Sequence, residues 1–191
     1  GKNNVFYVDT HMIGTLNNFT THNLKLVDKN QSEIIGTANF RNLFGKGNQE
    51  FYMKGNFDRI TSNYEDLKSI LPRILGNNLP SVLAKLGNVN IAGDVELTQK
   101  YINADVSMLS QLGYLEGNLA MQNINNIDNA FYQGNIKLDA FDLGTLLSEK
   151  EIGKATLDLD VDGKGFTQKL LNTAIKGKID KFYYNGYNYQ N

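Results

Sequence analysis

The chain has 191 residues, 41% of them hydrophobic, and a formal net charge of -1. That length and apolar content support one ordered domain with a real core, and the balanced charge argues against electrostatic binding of nucleic acid. With no cysteine, neither a disulfide framework nor a thiolate metal site is possible.

Period-two alternation of apolar and polar residues dominates the sequence. It predicts strands over roughly 4–9, 12–20, 22–28, 32–41, 49–60, 88–98, 100–108, 113–122, 130–140, 154–163, 173–184 and from 187 onward. Only a few polar residues separate most neighbours. Asparagine is common, at 26 residues, and doublets such as Asn17-Asn18, Asn77-Asn78 and Asn125-Asn126 read as turns. Short turns favour antiparallel meanders over crossover helices.

Residues 62–87 interrupt the strands. Ser62-Asn63-Tyr64-Glu65 reads as a capping box, followed by Leu67, Ile70 and Leu71 at helical spacing and limited by Pro72. A second short helix is expected from Pro80 to Leu86, with Gly87 as its cap and Val82, Leu83 and Leu86 as its stripe. The simplest role is a helical lid over one end of a sheet core. Smaller helical turns are expected at 143–147 and 166–171. Phe51-Tyr52-Met53-Lys54-Gly55-Asn56-Phe57 is similar to Phe131-Tyr132-Gln133-Gly134-Asn135-Ile136, which predicts a repeated strand unit.

Seven segments place one glycine in phase with their apolar residues. Gly36 falls with Ile34, Ala38 and Phe40, and Gly55 with Phe51, Met53 and Phe57. Gly93 falls with Val89, Ile91, Val95 and Leu97, and Gly117 with Leu115, Leu119 and Met121. Gly134 falls with Tyr132, Ile136 and Leu138, Gly163 with Leu157, Leu159 and Val161, and Gly177 with Ile175 and Ile179. Glycine inside a strand marks a bend, a bulge or a close approach. The expected architecture is mainly β: antiparallel strands curled into an elongated groove, with the short helical insert at 62–87. The abrupt ends of the chain suggest that residues 1–191 are a fragment of a larger protein.

Motifs for chemistry fail one by one. Asp158-Leu159-Asp160-Val161-Asp162-Gly163 opens like a calcium loop, but Lys169 stands where the bidentate glutamate belongs. Alternation reads those aspartates as the solvent face of a strand. The only histidines, His11 and His22, show no ligand spacing in the sequence and read as surface or turn residues. No nucleophile elbow, phosphate loop or dinucleotide fingerprint is present. No paired carboxylates on an aromatic cleft support a carbohydrate-active enzyme. The aromatic cluster Phe182, Tyr183, Tyr184, Tyr187 and Tyr189 reads as cross-strand pairing around an Asn185-Gly186 hairpin. The chain is expected to be no enzyme, with no cofactor and no metal.

Residues 156–191 carry Leu-Asp-Leu-Asp-Val-Asp-Gly-Lys-Gly-Phe at 157–166, then Leu171-Asn172-Thr173, Gly177-Lys178-Ile179-Asp180 and Tyr184-Asn185-Gly186-Tyr187-Asn188-Tyr189. With Gly14-Thr15-Leu16-Asn17-Asn18-Phe19 and Asn23-Leu24-Lys25-Leu26, this resembles the strand units of the TamB family, particularly its Bacteroidetes members. That family is similar to AsmA-like and bridge-like lipid transfer proteins. The resemblance implies a long β-taco groove in the periplasm, anchored in the inner membrane. It implies phospholipid movement toward the outer membrane, or outer-membrane protein assembly with an Omp85-family barrel through regions outside this fragment. On that reading, phospholipid acyl chains are the partner. The expected groove lining is Val89, Ile91, Val95, Leu97, Leu115, Leu119, Met121, Ile136, Leu138, Leu157, Leu159, Val161, Ile175 and Ile179. The alternative is a non-catalytic β-sandwich scaffold module for outer-membrane protein assembly, with the same face filled by a second sheet.

Overall fold

A computed structural model of the chain describes residues 5–44, 50–70, 79–165 and 172–190. Among the described residues, eleven strands form one antiparallel sheet, each hydrogen-bonded to the next in chain order. They are β1 (Phe6–Thr15), β2 (Asn18–Asp28), β3 (Glu33–Arg41), β4 (Tyr52–Ser62), β5 (Val89–Thr98) and β6 (Tyr101–Ser110). After these come β7 (Gly113–Gln122), β8 (Phe131–Asp142), β9 (Ile152–Lys164), β10 (Asn172–Tyr184) and β11 (Tyr187–Gln190). Most links are short and polar and leave no room for crossovers, and the longer link from Ser62 to Val89 also joins neighbouring antiparallel strands, so a meander results.

The sheet is open. β1 and β11 stand at opposite edges, and the strands neither close nor curl strongly. This corrects the expectation of a tightly curled taco. No second sheet is present among the described residues, so nothing of that kind fills the apolar face as a sandwich would.

One strand boundary also moves. The segments expected at 4–9, 12–20 and 22–28 form two strands, because the chain turns at Leu16 and Asn17. Within β2 the register slips between Thr21, opposite Ala38, and Leu24, opposite Gly36. Asn23 occupies that bulge with φ 52°, a conformation asparagine tolerates well. The bulge lets Thr21 and Leu24, three residues apart, share one face.

Three short helices gather at one end of the sheet. They are α1 (Tyr64–Ile70), a 3₁₀ helix (Ser81–Leu86) and α2 (Leu143–Leu147). The cap of α1 is Asn63 rather than Ser62. The Asn63 Oδ1 accepts from the Asp66 backbone N–H at 3.0 Å, and Asn63 Nδ2 donates to Asp66 Oδ2 at 2.7 Å. Ser62 is instead buried at the end of β4, its hydroxyl 3.1 Å from that of Ser32. Pro80 precedes the 3₁₀ helix, its carbonyl accepting from Leu83 N at 3.1 Å, and Gly87 caps it at φ 66°. Val82 is 38% exposed and drops out of the expected stripe. The turn expected at 166–171 lies outside the described residues.

Leu67, Leu83, Leu86, Leu143 and Leu146 bring these helices onto Val89, Leu112, Leu138, Phe141, Ala155 and Leu157. That is the lid arrangement the helical insert suggested, with α2 added. β4 and β8, the similar segments, both lead into a helix of this lid. At the other end the β7–β8 loop inserts Ile124, only 1% exposed, against Ala38, Phe51, Met53, Phe57 and Leu97. Burying that one side chain contributes about 1.5–3 kcal/mol.

Candidate functional site

The candidate site is the apolar face, and the strand register defines it. Directly opposed residues of an antiparallel pair point to the same side. One row runs Leu24, Gly36, Phe57, Gly93, Val106, Gly117, Ile136, Leu159, Gly177 across nine strands. Beside it runs Thr21, Ala38, Gly55, Val95, Ala104, Leu119, Gly134, Val161, Ile175. On the lid side lies a row of large aliphatic side chains: Val8, Leu26, Ile34, Ile60, Ile91, Met108, Leu115, Leu138, Leu157, Ile179. On the opposite side, Met53, Leu97, Ile102, Met121 and Tyr132 lead to Gly163.

All seven in-phase glycines therefore lie on the apolar face. Their local role is close approach, not tight curling. At Gly93, φ is +130° and a Cβ would overlap the Asp105 carbonyl oxygen across the strand pair. Elsewhere aromatic rings occupy the vacant space. A Cβ on Gly55 would lie 2.6 Å from Phe57 Cζ, and one on Gly163 would lie 2.6 Å from Tyr132 Cζ. At Gly55 and Gly163 the missing side chain makes room for a ring, and at Gly36, Gly93, Gly117, Gly134 and Gly177 it lets a carbonyl of the neighbouring strand approach.

An apolar cavity of about 440 Å³ opens over the first six strands. Val8 and Met12 come from β1, Phe19 and Leu24 from β2, Phe40 from β3, and Phe57 and Ile60 from β4. Val95, Leu97 and Ile102 form its wall on β5 and β6, and Leu67 of α1 reaches it from the lid. Such a volume falls within the range of small-molecule pockets.

The fourteen side chains expected to line a groove all share the apolar face, but they do not form one pocket. Val95 and Leu97 line the cavity. Val89, Leu138 and Leu157 are buried beneath the lid, with Ile91, Leu115, Ile136 and Leu159 packed against them. Met121 packs on the core around Ile124. Leu119 and Val161 are half-buried in mid-sheet. Ile175 and Ile179 are 58% and 50% exposed, because β10 has only the short β11 beyond it. Sequence reasoning left the β1–β4 side chains out of the lining. The signal for them was present, since Gly36 and Gly55 carry the same apolar phase as the later segments.

The reverse face is polar. Asn135 Nδ2 donates to Asp158 Oδ1 at 2.7 Å and to Asp160 Oδ1 at 3.1 Å, which places those aspartates on the solvent side as alternation requires. Among the described residues, no group of three or more His, Cys, Asp or Glu side chains could hold a metal. The Tyr101 hydroxyl donates to Glu96 Oε1 at 2.8 Å, and that bond, aided by burial and the glutamate charge, pushes its pKa up to about 12. Asp142 caps α2, accepting from Thr145 N at 2.9 Å and Thr145 Oγ1 at 2.8 Å. Those two bonds hold its carboxyl below the usual aspartate value.

No family model, curated protein or solved structure matches this chain. The site is therefore read from its own geometry: a two-faced sheet, apolar on one side and capped at both ends, with an open cavity between.

Proposed function

We propose that this chain is a segment of a TamB/AsmA-like periplasmic protein that shields phospholipid acyl chains on its apolar face. The observation that carries the reading is the unbroken set of apolar rows across the sheet, with an apolar cavity opening from them. A ten-residue strand spans about 33 Å. One acyl tail covers half of a ~30 Å hydrocarbon layer, so it fits along a strand with room to spare. Burial gains about 0.8 kcal/mol per CH₂, so partial coverage is enough to hold a tail out of water.

In this reading the sheet is one stretch of a longer, open groove whose polar reverse face meets the periplasm. Lipid passes between inner and outer membranes along the conduit, and the segment performs no reaction. An Omp85-family barrel engages the full-length protein through regions outside this chain. The scaffold alternative needs a filled face, and one sheet with a cavity over β1–β6 gives it less support.

Native mass spectrometry after gentle purification tests the proposal. Co-purifying phospholipid that is lost in Phe57→Asp is expected. A consistently lipid-free protein, also after incubation with phospholipid vesicles, would overturn it.

A further inference from the structure

The chain contains two histidines, and the fold sets them side by side across a strand pair. His11 on β1 is the direct cross-strand partner of His22 on β2. Their ring centroids lie 6.2 Å apart at an interplanar angle of 39°. The turn at Leu16 and Asn17 sets the register, which runs regularly from Thr15–Asn18 to His11–His22 and slips only beyond that pair, between His11 and Asp9.

The neighbouring pair Met12–Thr21 belongs to the apolar side, where both residues line the cavity. His11 and His22 therefore project from the polar face, and both are exposed. No hydrogen bond or ion pair among the described residues engages either ring. The nearby Lys25 ammonium is drawn away to Glu33 Oε1 at 3.6 Å. Asp9, opposite Lys25, adds a carboxylate to the same face two residues from His11.

We propose that His11 and His22 form a two-imidazole site for a divalent transition-metal ion on the first hairpin. A metal–imidazole bond is about 2.0–2.1 Å, so an ion bound by both rings sits about 3 Å from each centroid. The separation of 6.2 Å accommodates one such ion between the rings. Imidazole suits zinc, nickel and copper, and water completes the coordination. This site is independent of the apolar face and of the lipid reading. Its structural effect is to fasten the edge strand β1 to β2, since metal bound across a strand pair stabilises the paired state.

The test uses the full chain without a polyhistidine tag and Ni²⁺ alone as the probe, titrated calorimetrically. One ion per chain is expected, with His11→Asn and His22→Asn each weakening binding by about tenfold or more. Amide exchange across residues 6–15 should slow with Ni²⁺ in the parent and not in either variant. Both positions are exposed, so circular dichroism should show the variants folded. Absence of Ni²⁺ binding by the parent would overturn the site. So would undiminished binding by the doubly substituted His11→Asn/His22→Asn protein.

Discussion

The Phe57 ring folds back over Gly55, two residues earlier on the same strand. A Cβ at Gly55 would stand 2.6 Å from Phe57 Cζ, so only a glycine leaves the ring its place. Phe57 is also directly opposite Gly36 on one side and Gly93 on the other. That one large side chain also forms part of the cavity wall. Phe57→Ala should cost about 3–5 kcal/mol, the usual range for emptying an aromatic core position. Urea unfolding followed by circular dichroism measures the loss, and a change under 1 kcal/mol would contradict the packing described.

Gly93 answers to the backbone rather than to a side chain. At φ +130°, with the Asp105 carbonyl against its open side, it excludes even a methyl group. Alanine ordinarily suits a strand better than glycine by about 0.5–1 kcal/mol. Here strain of about 1–3 kcal/mol wins, so Gly93→Ala should lower stability. A raised urea midpoint would show that the position tolerates an L side chain.

Asp66 joins the lid to the sheet. Buried at the start of α1, it accepts from Asn30 Nδ2 at 2.8 Å, Ser32 Oγ at 3.0 Å and Asn63 Nδ2 at 2.7 Å. Asp66→Ala leaves those donors without their acceptor and should cost about 1–3 kcal/mol. Glu65→Ala, at the position the capping-box pattern favours, should change stability by less than about 0.5 kcal/mol because Glu65 is exposed. Thermal unfolding of the two variants side by side distinguishes the residues.

Asp142 and Tyr101 give the fold a pH dependence of opposite sign. The folded pKa of Asp142 is depressed by its bonds to Thr145, so its contribution is present above the unfolded value of 3.8 and is lost as pH falls through the lower folded one. Asp142→Asn should flatten the acid limb of the stability profile. Tyr101 has the opposite sign. Its folded pKa is about 12 against 10.0, so its contribution is whole below pH 10 and is lost as pH rises toward 12. Tyr114 and Tyr184 are raised as well by their bonds to Glu116 and Glu151, so ultraviolet titration in a Tyr114→Phe/Tyr184→Phe background should show a late phenolate step that Tyr101→Phe removes. A step retained in that variant would assign it to another tyrosine.

Alternation made the sheet legible because period two needs no knowledge of partners. Val89 to Leu97 and Leu157 to Val161 announce their faces by themselves. Bulges broke that legibility. Nothing in Thr21-His22-Asn23-Leu24 says that two residues are passed over before pairing with β3 resumes, which brings Leu24 onto the face of Thr21. The cap at Asn63 lay one residue beyond the Ser62–Glu65 pattern, because Ser62 turns inward to Ser32, a partner thirty residues away. The glycines were read correctly as to face and incorrectly as to consequence. The rings of Phe57 and Tyr132 take the space at Gly55 and Gly163, and a neighbouring strand's carbonyl takes it at the other five.

The most direct test of the lipid-shielding proposal places a photo-crosslinking residue at Val95, on the apolar face and in the cavity, or at Asn103, on the polar face. In cells, the Val95 position should form a phospholipid adduct and the Asn103 position none. Adding Ile91→Asp should abolish the Val95 adduct. Equal labelling from both faces, or an adduct undiminished by Ile91→Asp, would contradict the account.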